Sequence, residues 1–360
     1  MKKATLRLQD GTEFQGYAFG AELSTSGEVV FNTAMAGYPE SMTDPSSAGQ
    51  IMVLTYPLVG GYGVPSTEAT EANGLRSFME SEKVWVKALV VGDYSPEFSH
   101  WNAKESLGDW MKREGIPGIT GVDTRQLTKL LRNKGTMTAT IIPEGAAEAP
   151  RAEDCNCVGE ASCKEVVTYQ PTATPINKRV VLIDCGVKHS IIKYLLNCGV
   201  EVVRVPWDYD FSQLSFDALF LADGPGDPAA CTATIENIRK FLAAPAVRPC
   251  MGICMGSQLL ALAAGASCTK LKYGHRGHSI PVREMGTTKC YVTTQNHNYA
   301  VDASSLNSDW ETWFTNMNDG SCEGIRHTKN PWFGVQFQPE TNPEAADTKA
   351  LFSKFIETLK

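Results

Sequence analysis

From residue 179 to residue 264 the chain alternates short β-branched runs with helical apolar spacing, and this alternation constrains the fold more than any other feature. Arg179-Val180-Val181-Leu182-Ile183-Asp184 has the composition of a strand buried on both faces. Residues 190–197 carry helical spacing, with Gly199 as a stop signal. Residues 200–205 and 218–221 form a second and a third strand, and 235–242 a second helix. Residues 247–254 are a strand shortened by Pro249, and 259–264 are the helix behind it. Repeated β-α units of this length predict a doubly wound, mostly parallel sheet. Such sheets carry their sites at the carboxyl ends of the strands.

Two loops fall at those ends. Gly252-Ile253-Cys254-Met255-Gly256-Ser257-Gln258 places a cysteine on a strand-to-helix turn, with glycines that permit the turn and leave room around the sulfur. The positive end of the following helix favours the thiolate. A cysteine nucleophile also needs a base, usually histidine, oriented by a third group. Pro339-Glu340 offers the orienting carboxylate, but Gln338 precedes it, and the last of the six histidines is His327. Asp223-Gly224-Pro225-Gly226-Asp227-Pro228 is a rigid turn able to present backbone N–H groups to an oxyanion or a carboxylate.

At 360 residues the chain is long enough for two cores. Its net charge of −7 argues against a broad nucleic-acid footprint. No apolar run approaches the ~18 residues that span a bilayer. Lys2 and Lys3 precede no apolar segment, and residues 4–9 alternate as an edge strand would. A cytoplasmic protein without a signal peptide is therefore expected. The 11 cysteines are scattered and behave as small buried hydrophobes with free thiols. Cys155, Cys157 and Cys163 cluster without a nearby histidine or a paired C-x-x-C spacing, so no metal site is expected.

Residues 1–145 form a mixed α/β domain with strands near 28–33 and 50–57. A helix over 123–131 is capped by Asp123 and ended by Lys134-Gly135. Nothing in this half offers catalytic chemistry by itself. Residues 146–178, rich in Ala, Pro, Thr and Glu, are expected to be a linker, and 179–360 the second domain. His275 and His278 flank Arg276-Gly277 in an expected loop. Gln295-Asn296-His297-Asn298-Tyr299-Ala300-Val301 is expected to be a polar turn with a half-buried aromatic.

In order, strand–GPGDP, G-I-C-x-G-x-Q, Q-N-H-x-aromatic-A-V and V-Q-F-x-P-E resemble the class I glutamine amidotransferase domain. Gly27-Glu28-Val29-Val30-Phe31-Asn32-Thr33, Met35-Ala36-Gly37-Tyr38, Thr43-Asp44-Pro45-Ser46 and Leu54-Thr55-Tyr56-Pro57 resemble the small subunit of carbamoyl-phosphate synthetase. So does the run 123–132. The resemblance covers residues 5 to 358. It implies that glutamine is hydrolysed here and that ammonia passes through a tunnel to a large subunit, which uses ATP and Mg with bicarbonate. This chain would then need no cofactor of its own. It implies Cys254 as nucleophile and Glu340 as orienting carboxylate. Gly226 and Met255 would offer N–H groups to the oxyanion. Ser46, Gly224, Gln258, Asn296, Asn298 and Tyr299 would line the glutamine pocket, with Ser46 bringing it to the domain interface.

The departures from the family pattern gather at that site. Gln338 stands where the family has histidine, and an amide is no base near neutral pH. Ser257 replaces a histidine of the elbow. Asn298 replaces a glycine, and asparagine tolerates a left-handed backbone. Gly277-His278-Ser279-Ile280-Pro281-Val282 departs from Gly-Gly-Asn-His-Pro-Val. Two functions are consistent with this pattern: an amidotransferase subunit that still hydrolyses glutamine, slowly and with another base, and a non-catalytic subunit or paralogue that binds and tunes a large partner using free ammonia; the missing histidine favours weak or absent glutaminase activity. A weaker third is a small-molecule sensor built on the glutamine pocket.

Overall fold

The computed structural model describes residues 1–150, 157–340 and 346–359, the side chains of residues 346 and 347 excepted. The chain divides into two units, Met1–Cys155 and Asn156–Lys360.

In the first unit seven strands close into a barrel, in the order Lys3–Leu8, Met137–Pro143, Thr25–Asn32, Gln50–Leu54, Ala88–Val90, Pro117–Thr120, Glu13–Gly20. The alternation of the first strand buries Ala4, Leu6 and Leu8 and turns Lys3, Thr5 and Arg7 outward. It is not an edge strand. Met137–Pro143 and Glu13–Gly20 flank it, both antiparallel, so its period of two separates barrel interior from exterior. The helix Thr124–Lys134 begins where expected. The Asp123 side chain accepts from the Gln126 N–H at 2.8 Å, and Gly135, at φ 95°, ends it.

The second unit is built on a ten-stranded sheet. Its parallel centre runs Glu201–Pro206, Arg179–Asp184, Ala218–Leu221, Cys250–Ile253, Trp332–Val335. These strands are short and almost wholly buried because helices cover them. The helices His189–Asn197, Thr232–Leu242 and Met255–Ala263 connect them as the sequence pattern predicts. The C-terminal helix Ala346–Glu357 packs Phe352 and Phe355 on Phe220 of the third strand. Beyond Trp332–Val335 the sheet continues antiparallel through Cys322–His327, Trp310–Asn316 and the long hairpin Cys268–Glu284 with Cys290–Val301.

Two expectations change here. The stretch 146–178 is not structureless: Cys157–Ala161 is helical, and Val167–Tyr169 adds an antiparallel edge strand to Glu201–Pro206. Three residues at an edge are too few to set a period. The segments around His275 and His297 are not loop and turn but facing strands, with His275 opposite His297 and Arg276 opposite Asn296. Irregular register on both sides of that pairing breaks the alternation that would have revealed a strand. None of the described helices is long and apolar enough to cross a membrane.

Candidate active site

Four neighbouring parallel strands deliver the site from their carboxyl ends. Arg179–Asp184 leads to Lys188, Ala218–Leu221 to Asp223 and Gly224, Cys250–Ile253 to Cys254, and Trp332–Val335 to Gln336, Gln338 and Glu340. Ile253 pairs with Val335, and the Cys254 N–H donates to the Val335 carbonyl at 2.8 Å. The residues after Val335 therefore emerge beside the cysteine.

Cys254 takes the elbow conformation, at φ 50° and ψ −108°, directly before the helix Met255–Ala263. A non-glycine residue there carries strain of about 1–3 kcal/mol, which the surroundings must hold. The glycines show how. A Cβ on Gly252 would lie 2.5 Å from the Gly256 carbonyl carbon, and one on Gly256 would run into the Leu221 carbonyl oxygen. Strand, turn and helix touch backbone to backbone, so only glycine fits at either position. Met255 is the first helical residue, and the N–H groups of a first turn have no partner within the helix.

The cysteine is 2% exposed. Its thiol lies 3.7 Å from the Asn296 carbonyl oxygen, and the Gln336 Nε2 donates to it at 3.5 Å. The expected pocket residue Gln258 turns its amide inward. Its Nε2 donates to the Tyr299 carbonyl at 2.8 Å and to the Gln336 Oε1 at 3.0 Å. Cys254, Gln258, Asn296 and Tyr299 are thus gathered, the last two through main-chain carbonyls. Asn298 instead accepts at its Oδ1 from Arg276 at 2.6 Å. It lies within the strand Cys290–Val301, and among the described non-glycine residues only Asn177 and Cys254 have positive φ, so no left-handed turn exists for it to fill. Ser257 packs its side chain against Gly334 of the neighbouring strand. Gly224 lies so close to the Cys185 carbonyl oxygen that no Cβ fits, whereas Gly226, at φ 89°, faces open space. Ser46, in the first unit, donates through its hydroxyl to the Asp44 Oδ1 at 2.6 Å.

The Gln338 Nε2 donates to the Asp223 Oδ2 at 2.7 Å, and both residues are buried. The other Asp223 oxygen accepts from the Gly224 N–H at 2.7 Å. The carboxylate of Glu340 is 2.5 Å from the Nζ of Lys188, and both side chains are 1% exposed. Sequence reasoning missed Gln336, Asp223 and Lys188. The signals available were the position of Gln336 two residues before Gln338, and of Asp223 at the head of the Gly-Pro-Gly turn; Lys188 offered only its place before a helix. Burial, reinforced by the charge of Lys188, lowers the pKa of His278.

A second buried cluster lies beside the site. His275 Nε2 meets the Asp319 carboxylate at 2.8 Å and its Nδ1 the Glu323 carboxylate at 3.3 Å. These partners outweigh burial and raise the His275 pKa. His297 is contacted at Nδ1 by the Tyr299 carbonyl and at Nε2 by Gln295. Burial, with the neighbouring His275, drives its pKa well below 6.5, so His297 is neutral at pH 7 and is no cationic partner for the thiolate. The ligand-type atoms of His275, His297 and Glu323 lie within 4.8 Å of one another, but both nitrogens of each imidazole are already engaged by protein groups. Of the cysteine cluster, Cys155 lies outside the described residues. Burial, then the nearby Asp184, pushes the Cys163 thiol up to about 12.

Residues 6–141 match the carbamoyl-phosphate synthase small chain CPSase domain, and residues 181–358 match glutamine amidotransferase class-I. The arginine-specific small chain of carbamoyl phosphate synthase from Eremothecium gossypii is 45% identical over 100% of this chain and 92% of its own length. The chain belongs to the carbamoyl-phosphate synthase small-chain family. The corresponding small chain of Saccharomyces cerevisiae is likewise 45% identical, over 99% of this chain and 89% of its own. Multifunctional protein ura1 of Schizosaccharomyces pombe is 44% identical, and this chain spans only 17% of its length. Among solved structures, a GMP synthase protein from Thermoplasma acidophilum is 25% identical, with a TM-score of 0.45 over 51% of this chain and 94% of its own. Within the small-chain family, the two-domain sequence pattern and the amidotransferase fold of the second unit are accounted for.

Proposed function

We propose that this small chain is the glutamine-binding subunit of a carbamoyl-phosphate synthase and that its own glutaminase turnover is weak or absent. One observation carries the reading. Cys254 keeps the strained elbow of a nucleophile, while the position two before Glu340 holds an amide bonded to Asp223. Hydrolysis requires a group that removes the thiol proton and returns a proton to the departing ammonia. The Gln338 amide can do neither. Glutamine would bind beside Cys254, Gly226 and Met255, and a large partner subunit would supply ATP and Mg chemistry in the cytoplasm. The test is ammonia release from glutamine by the purified chain, alone and co-expressed with a large subunit, beside carbamoyl-phosphate formation from free ammonium. Turnover comparable to that of the Gln338→His variant would refute it.

A second reading is a non-catalytic subunit that only supports a large partner working on free ammonia. What favours it is that the orienting Glu340 is paired with Lys188 inside the protein. The two readings separate on binding. The first expects saturable glutamine binding to the small chain, and the second expects none.

A further inference from the structure

We infer that Gln336 is the catalytic hydrogen-bond donor to the Cys254 sulfur, held in orientation by Gln258, and that this amide pair stabilises the thiolate. The inference rests on Cys254 being the nucleophile. The orientation follows from a chain of hydrogen bonds that runs one way. The Tyr299 carbonyl can only accept, so the end of Gln258 facing it at 2.8 Å is the NH2 group. The same NH2 faces Gln336 at 3.0 Å, so the end of Gln336 turned to it is the carbonyl oxygen. The remaining end of Gln336 is therefore the NH2, and it lies 3.5 Å from the sulfur. A flip of either amide would set oxygen against oxygen or NH2 against NH2. Gln258 and Gln336 are 2% and 1% exposed, so water does not compete for these groups.

The Asn296 carbonyl and the Gln336 amide act on the sulfur in opposite directions. The Asn296 carbonyl, 3.7 Å away, accepts from the thiol and favours the protonated form. The Gln336 N–H donates, and a donor bound to an ionised acceptor forms the stronger, charge-assisted bond. It acts together with the helix that starts at Met255. An amide does not titrate, so this donor is present at every pH. It lowers the energy of the thiolate but carries no proton away, which separates activation of the nucleophile from proton transfer. Gln258 acts through Gln336 and is a positioning residue.

The test reads the alkylation of Cys254 by iodoacetamide in the full-length protein, followed by mass spectrometry of the Cys254 peptide across a pH series. Access to the sulfur sets the plateau of that profile, whereas thiolate stability sets its midpoint. Gln336→Met, which keeps the length but removes the donor, is expected to move the midpoint to higher pH and to slow alkylation at pH 7 about tenfold, the loss of one charge-assisted hydrogen bond. Gln258→Met should move the midpoint in the same direction by less. In the wild-type chain the side-chain NH2 resonance of Gln336 should shift through the same midpoint, a readout that does not depend on any variant folding. An unchanged midpoint in folded Gln336→Met, or a Gln336 resonance that ignores the Cys254 transition, overturns the inference. No readout uses glutamine, so a chain that never hydrolyses glutamine can still satisfy or fail this test.

Discussion

The Gln338 amide donates to the Asp223 carboxylate at 2.7 Å, a buried contact between the segment before Pro339 and the Gly-Pro-Gly turn. Asp223 also accepts from the Gly224 N–H, so one buried carboxylate ties the turn to the segment before Pro339. Asp223→Ala should lower stability by about 2 kcal/mol, because it removes the acceptor of one buried and one partly buried donor. Asp223→Asn, which keeps one oxygen and the shape, should cost less than half of that. Urea unfolding of the two variants checks the order, and equal losses would count against the bridge.

Lys188 and Glu340 form an ion pair with both side chains 1% exposed. Removing one partner strands a charge in the interior. Lys188→Met and Glu340→Met should each destabilise by about 3–5 kcal/mol, whereas the double variant should come close to wild type. A double-mutant cycle measured by chemical denaturation gives the coupling directly, and simple additivity would contradict the pairing.

The elbow depends on backbone contact. A Cβ at Gly256 meets the Leu221 carbonyl oxygen, which sits in a strand held on both sides. Gly256→Ala is predicted to cost about 1–3 kcal/mol through overpacking and to displace Cys254. Gly286→Ala, at a turn with open space around it, serves as the comparison, since its cost comes only from a positive φ of 76°. Thermal unfolding and Cys254 alkylation should both respond at 256, and only stability at 286.

The two neighbouring histidines should titrate in opposite directions from 6.5. His275 is raised because Glu323 and Asp319 outweigh burial. Its contribution to stability is complete below pH 6.5 and is lost as pH rises through its folded value. His297 is lowered by burial. Its burial in the neutral form costs nothing above pH 6.5, and stability is lost as pH falls from there towards its folded value. Imidazole 15N resonances followed against pH would show this directly. A His297 that protonates at or above 6.5 would contradict the buried neutral assignment.

The elbow was legible because its demands are local: glycine at 252 and 256, a strand before and a helix after. The parallel strands were legible for the same reason, since burial on both faces leaves unbroken runs such as 179–184. Closure of the first unit into a barrel was not, because it depends on Met137–Pro143 pairing with Lys3–Leu8, a contact about 130 residues apart in sequence. The hairpin carrying Asn296 and His297 was hidden by irregular register. Gln336 was hidden because its contact with Cys254 follows from the Ile253–Val335 pairing, which no spacing reveals. Lys188 looked like an ordinary residue before a helix until its burial beside Glu340 was seen.

In the proposed reading the Cys254 nucleophile persists while the proton carrier is gone. The most direct measurement is steady-state ammonia release from glutamine by the wild-type chain and by Gln338→His, each alone and with a co-expressed large synthase subunit. A positioned general acid–base contributes about two to four decades. Gln338→His is predicted to be faster than wild type by at least about 100-fold. Equal rates in two well-folded proteins would contradict this reading, showing either that another group already moves the proton or that glutamine no longer binds beside Cys254.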